Sequence, residues 1–231
     1  IVALLLGGLA PTLSSQVEQR QLTETRTQLD TVRDALIGFT LINGRLPCPA
    51  SGTSNGLESP VGTGVCTNFT DGFVPAVTLG LSGTSATGYI EDAWGNPFRY
   101  AVSSLDIVGP PIINNVFTTP SGISDAGITN LNPVDLIVCS EASANGNSCS
   151  VADSDLSLST AAVIYSIGLN GSFGGTSTDE TENPNPSSVD NDSVFVSHTP
   201  SPSSAPNGEF DDIVIWISPN IEKITGTSPE W

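Results

Sequence analysis

From Thr12 onward the chain carries apolar residues on a helical period: Leu22, Leu29 and Leu36 recur every seven positions, offset by Thr25, Val32 and Phe39. Charged residues (Glu18, Arg20, Glu24, Arg26, Asp30, Arg33, Asp34) fill the positions between, so one face of a helix is apolar and the other polar. Upstream the pattern changes. Ile1 to Ala10 are wholly apolar, with Ile1, Val2, Leu4, Leu5, Leu6 and Leu9 distributed around the whole helix. Ile1 to Ile42 is therefore expected to form one helix of roughly 60 Å, longer than a compact domain of this chain's size is wide. The amphipathic part can lie on a domain, whereas the apolar part needs a membrane or other copies of itself around it. Gly7, Gly8 and Pro11 stand between the two parts, and because proline removes a helical hydrogen bond, a kink or local unwinding is expected there.

Asn43-Gly44 supplies a left-handed cap, and Pro47 and Pro49 keep the chain from resuming a helix. The expected domains are thus a helix, 1–43 (apolar half 1–11, amphipathic half 12–43), and a head, 44–231. In the head, Phe98, Tyr100 and Val102 alternate after a Trp94-Gly95-Asn96-Pro97 turn. Further strands are expected at 112–118, 134–139, 161–167, 193–197 and 212–218, several pairing as an antiparallel meander. Polar stretches 171–192 and 199–209 read as exposed loops. The fold class expected is α+β, with the amphipathic half of the helix covering one face of an antiparallel sheet.

Composition sharpens this picture. The chain has 231 residues, six Lys and Arg against 24 Asp and Glu, and a formal charge of −18. Four cations and four acids belong to the helix and its exit, so the head holds Arg99 and Lys223 against the other twenty acids. Such a surface repels nucleic acid and anionic headgroups and keeps the head soluble. Cys48, Cys66, Cys139 and Cys149 lack zinc-site spacing and read as two disulfides formed outside the cytoplasm. Three connectivities are open, and the sequential couples are the expectation. Ten apolar residues are about half of a bilayer span, so the apolar segment is expected to extend upstream of Ile1.

The apolar start, the small-residue and proline break, the amphipathic continuation and the run Asp92-Ala93-Trp94-Gly95-Asn96-Pro97-Phe98-Arg99-Tyr100 together resemble the type IV pilin superfamily. The Asp-x-Trp-Gly-Asn-Pro-aromatic-x-Tyr run is most similar to the major pseudopilins of type II secretion. Gly44 to Ala50 and Phe210 to Ser218 are similar to segments of large pilin-like proteins. The family's methylated N-terminal aromatic residue and nearby glutamate have no counterpart in this chain. The resemblance implies a pilin-like fold and a non-enzymatic subunit trimmed by a prepilin peptidase. It further implies a homo-oligomer, a helical filament on the cell surface, built by pilus assembly machinery of the inner membrane. Its alternatives are a type II secretion pseudopilin and a low-copy, adhesin-like tip subunit.

Chemical candidates are few. His198 is the only histidine and has no nucleophile motif beside it. Glu91/Asp92 and Asp211/Asp212 are adjacent carboxylates, which on a strand point to opposite faces and do not form an acid/base pair. Trp94, Trp216, Tyr100 and Tyr165 read as packing residues. A calcium ion is the candidate cofactor: Asp179, Glu180, Glu182, Asp190 and Asp192 crowd one stretch among Ser, Thr and Asn oxygens, as a hard cation requires. The alternative is a plain solvating coat. Related major pseudopilins bind calcium in their C-terminal loops.

Overall fold

The protein's structure is a computed structural model describing residues 2–62, 64–131, 135–143, 148–149, 154–171, 177–183 and 193–219, with the backbone alone for 2–15 and 128. Helix α1 runs from Val2 to Asn43. It is continuous through Gly7, Gly8 and Pro11, so the unwinding expected there is not seen in the single chain. It ends as the cap residues dictate: Gly44 has φ +65° and its N–H reaches back to the Thr40 carbonyl at 2.8 Å.

Four antiparallel strands form a first sheet in the order β1 (Gly72–Phe73), β2 (Arg99–Val102), β5 (Ala162–Ser166), β7 (Ile213–Ile217). A second sheet has the order β4 (Asp155–Thr160), β3 (Leu136–Cys139), β6 (Val194–Val196), with β3 and β6 parallel. Short helices α2 (Gly122–Ala126) and α3 (Thr178–Glu182) complete the head. The class is mixed α+β, in three layers of helix, sheet and sheet.

The layers follow from which side chains share a face. Register pairs Tyr100 with Ile164 and Ile164 with Ile215, and this face meets Leu29, Val32 and Leu36 of α1, all fully buried. Thr25 is also buried, while Leu22 and Phe39 are partly covered, so the amphipathic stripe is the part of α1 that the head covers. The opposite face offers Ala101, Val163, Tyr165 and Val214 to Leu136, Val138 and Phe195 of the second sheet. β5 is covered on both sides and is accordingly buried at every position.

The structure departs from the expected elements in several places: residues 178–182, inside the stretch 171–192 read as an exposed loop, form α3 with Asp179, Glu180 and Glu182 buried, and β3 pairs with β6 in parallel where an antiparallel meander is expected. Residues 112–118 form no strand, because Pro110 and Pro111 precede them and Asn115 takes a left-handed φ of 49°, which turns the chain. Instead Ile107 and Ile113 bridge antiparallel at the base of a hairpin. Strand β4 lies outside the expected strands, and its Leu-Ser-Leu-Ser alternation is the local signal for it.

Both sequential disulfides are present, Cys48–Cys66 and Cys139–Cys149. The first ties the helix exit to the following loop, where Glu58 is buried with Arg45. Both guanidinium nitrogens donate to the Glu58 carboxylate at 2.8 Å, and the amides of Cys48 and Gly62 donate to it at 3.1 Å. Burial pulls the carboxyl upward, but the Arg45 hydrogen bonds and charge and the two amides hold it below its ordinary range. Arg45 also lies 5.3 Å from the centre of the Phe39 ring, so the pair fastens the last turns of α1 to the loop.

Truncating the stripe should be costly. Leu29→Ala is expected to lose about 2–5 kcal/mol, roughly 5–15 °C in melting temperature, whereas Leu41→Ala, at an exposed position, should stay within about 0.5 kcal/mol. Thermal unfolding by circular dichroism measures both; equal effects would remove the stripe from the core.

Candidate functional site

The Trp-Gly-Asn-Pro turn is the joint between α1 and the first sheet. Asp92 is buried, and its Oδ1 accepts the amides of Trp94 and Asn96, each at 2.9 Å, closing a tight turn in which Gly95 has φ +88°. Its Oδ2 accepts the Ser166 hydroxyl of β5 at 2.6 Å, and the Asn96 side chain donates its Nδ2–H to the Gly168 carbonyl at 2.7 Å. From the helix, the Thr25 hydroxyl accepts the Ala93 amide at 3.2 Å and the Gln21 side chain donates to the Ala93 carbonyl at 3.3 Å. Tyr100, fully buried, donates its hydroxyl to the Pro47 carbonyl at 3.1 Å. Asp92, Gly95 and Asn96 thus order the turn, Tyr100 ties β2 to the helix exit, and Trp94 packs against the core beside α1.

Just past this joint lies a groove of about 810 Å³ between α1 and the head. It is lined by Val17, Gln21 and Leu22 of α1 and, from the head, by Trp94, Leu169, Pro200 to Ser203 and Phe210. Gln16 to Arg20 are exposed along the helix side of the groove, and the backbone of α1 continues from there to Val2.

Beneath the rim of the groove sits a cluster of carboxyls: Glu180, Asp211 and Asp212 place one oxygen each within 4.8 Å of the others. Loop chemistry brings them together. Ser177 caps α3 by accepting the Glu180 amide at 3.1 Å, so the buried Glu180 carboxylate accepts the Asn170 side chain at 2.8 Å. Asp211 accepts the Leu169 amide at 2.8 Å. Gly168, at φ +63°, presses against the Asp211 carboxyl so closely that a Cβ there would collide with it. Asp212 accepts the Asn183 side chain at 2.7 Å, and Asn183 is itself bound at both ends to the backbone of Val196.

Burial is the main cause of an upward pKa at two of these groups. Asp211 is pushed to about 6, by desolvation first and then by the Glu180 carboxyl beside it. Asp212 is raised well above its ordinary value by burial, with Asp211 and Glu180 adding to the effect. The cluster can hold itself together by sharing protons or by taking a divalent cation. The donor set fits the second: all are hard oxygens, and the buried Oδ1 atoms of Asp211 and Asn170 receive no N–H or O–H donor.

The calcium residues expected from sequence therefore divide. Glu180 is in the cluster. Asp179 is buried but engaged elsewhere, accepting the Ala142 amide at 2.8 Å and standing 3.5 Å from His198 Nε2. Glu182 is buried outside the cluster, and Asp190 and Asp192 lie outside the described residues. Asp211 and Asp212 are expected from sequence to be strand neighbours facing opposite ways, but β7 begins only at Ile213, so the period-2 rule does not reach them. No local signal joins them to Glu180, 31 residues upstream of Asp211.

Of the helix residues expected to form a filament core, Ile1 lies outside the described residues. Val2, Leu4, Leu5, Leu6, Leu9, Gly7, Gly8 and Pro11 are on the continuous backbone of α1. Among the described residues no helix is long and apolar enough to cross a membrane. Comparison of the chain with protein-family models, curated proteins and solved structures finds no match.

The raised carboxyls give a pH dependence with a definite sign. A carboxyl whose pKa is higher in the folded state stabilises below its unfolded value, near 4, and loses that contribution as pH rises through about 6. Without divalent ions, the stability of the wild type relative to Asp211→Asn should fall between about pH 5 and about pH 7.5. A constant difference would refute the assignment. At the higher pH, calcium at 100 times its dissociation constant should restore about 2.7 kcal/mol, roughly 5–10 °C. Asp212→Asn should abolish that rise, and a wild type that melts identically with calcium and with chelator would exclude the cation.

Proposed function

We propose that this chain is a structural subunit of a type IV pilus-like filament, assembled through α1, with the acidic, disulfide-tied head as its outer coat. The observation that carries the reading is the division of α1. Its stripe from Leu22 to Phe39 packs on the head and Gln16 to Arg20 are exposed, while the same helix continues back to Val2 through a stretch whose sequence is apolar on every side. A helix segment apolar on every side is satisfied in lipid before assembly and among its own copies afterwards. The contact between copies joins different surfaces and repeats without closing, which generates a helical filament. The head's charge suits a surface facing water. Nothing in this role requires catalysis, and the partners are other copies of the chain together with inner-membrane assembly machinery.

A second reading, a pseudopilin of a type II secretion system, is favoured by the Asp92 turn and by the carboxyl cluster. It keeps the same helix and head and differs in where the fibre ends and in how many copies it holds.

Leu5→Asp puts a charge in the apolar half of α1, N-terminal to the stripe that packs on the head. In cells that assemble the fibre, it should abolish filaments containing this chain, read by electron microscopy, while the melting temperature of the purified chain stays at the wild-type value. Normal filament yield from this variant would overturn the proposal.

A further inference from the structure

The two ends of the head are unlike. At the N-terminal end of the covered stripe lies the groove beside Leu22, with Val17 and Leu169 respectively 57% and 67% exposed within it. At the opposite end the hairpin from Ile107 to Ile113 stands out from the head. Its base is fixed, since Ile107 and Ile113 exchange backbone hydrogen bonds at 2.8 and 3.1 Å and pack against the core. Its tip is apolar and open: Val108 is 86% exposed and Ile112 74%. The segment that follows the hairpin is tied to the end of α1, because the Leu46 amide donates to the Phe117 carbonyl and Gly44 sits against Ser121. Along the helix axis, Leu22 and Gly44 are separated by roughly 33 Å at 1.5 Å per residue.

We propose that the hairpin tip of one copy docks in the groove of the next, so that heads contact each other head to tail. This rests on the filament reading above and adds to it the surface through which neighbouring heads meet. Charge argues for this occupant. The groove is rimmed by Glu18, Glu209 and Asp211 on an already acidic head, so a charged face of another copy meets repulsion. Residues 107–113 contain no ionisable side chain, so the apolar tip of a second copy can enter without that repulsion. Two prolines in the tip leave it little freedom to lose on docking. Knob and groove at opposite ends of one axis make a contact that does not close, matching the open symmetry of a fibre. Val108 and Ile112 are covered in this contact, whereas a single copy leaves them in water.

The test is a cross-linking ladder. The full chain carrying both Ile112→Cys and Leu169→Cys should, on mild oxidation, give a series of dimers, trimers and higher multimers on a non-reducing gel. A mixture of the two single variants should stop at the heterodimer, and adding Val108→Asp to the double variant should abolish the ladder. Single variants that melt like wild type establish that the native disulfides are kept. Oxidation is carried out on cells that assemble the fibre, and electron micrographs of the same cells separate the two proposals. Filaments without a ladder would overturn the docking alone, and neither filaments nor ladder would overturn both. A ladder that survives Val108→Asp would show that the cross-link needs no docked apolar tip and would equally overturn the hairpin.

Discussion

Packing of one stripe of α1 on one face of the first sheet is the contact on which the rest of this structure depends. Leu29, Val32 and Leu36 are buried on Tyr100, Ile164 and Ile215, and burial of this kind is the main favourable term in folding. The stripe does more than stabilise. It sets how far along α1 the head can reach, and therefore how much helix is left over for other contacts. The polar joint at Asp92 fixes the register of that packing. Thr25 and Gln21 bind the turn that Asp92 closes, and Ser166 ties the same carboxylate to β5, so helix and sheet cannot slide without breaking buried hydrogen bonds. The Arg45–Glu58 pair does the same at the other end, where removing one partner would strand a buried charge.

Much of the fold was legible because it depends on short-range periods. The seven-residue spacing from Leu22 marks the buried helix face, Gly44 marks the cap, and the alternation of Phe98, Tyr100 and Val102 marks β2. The Trp-Gly-Asn-Pro run was legible as a turn, though not as a clamp on the helix, since its partners Thr25 and Ser166 lie about seventy residues away on either side. The parallel pairing of β3 with β6 was not legible at all. A meander is the simplest reading of consecutive strands, and here β4, β5 and α3 intervene in the chain between two strands that are neighbours in space. The hairpin at 107–113 was hidden inside an apolar run, and its prolines, rather than its hydropathy, decide the outcome.

The carboxyl cluster shows most clearly how an acidic composition can mislead. With the head so acidic, solvation is the plain reading of any one carboxylate, and for the exposed ones it suffices. Glu180 and Asp212 are instead buried beside Asp211, each hydrogen-bonded to an asparagine or to backbone amides. Burial of like charges is tolerable only with a proton or a cation between them. What assembles the trio is the exit of the chain from α3, the close approach at Gly168, and the two residues before β7. None of these is a motif, and all are consequences of the sheet order.

The central claim is that α1 serves two masters along its length, the head from Leu22 onward and other copies of itself before that. Cryo-electron microscopy of filaments sheared from cells that make this chain tests it most directly. The account predicts density for this chain at every position along the fibre, with the residues before Val17 packed at the centre among their copies and the stripe still lying on the first sheet. A fibre that lacks this chain, or one in which the apolar start of α1 faces solvent, would contradict it.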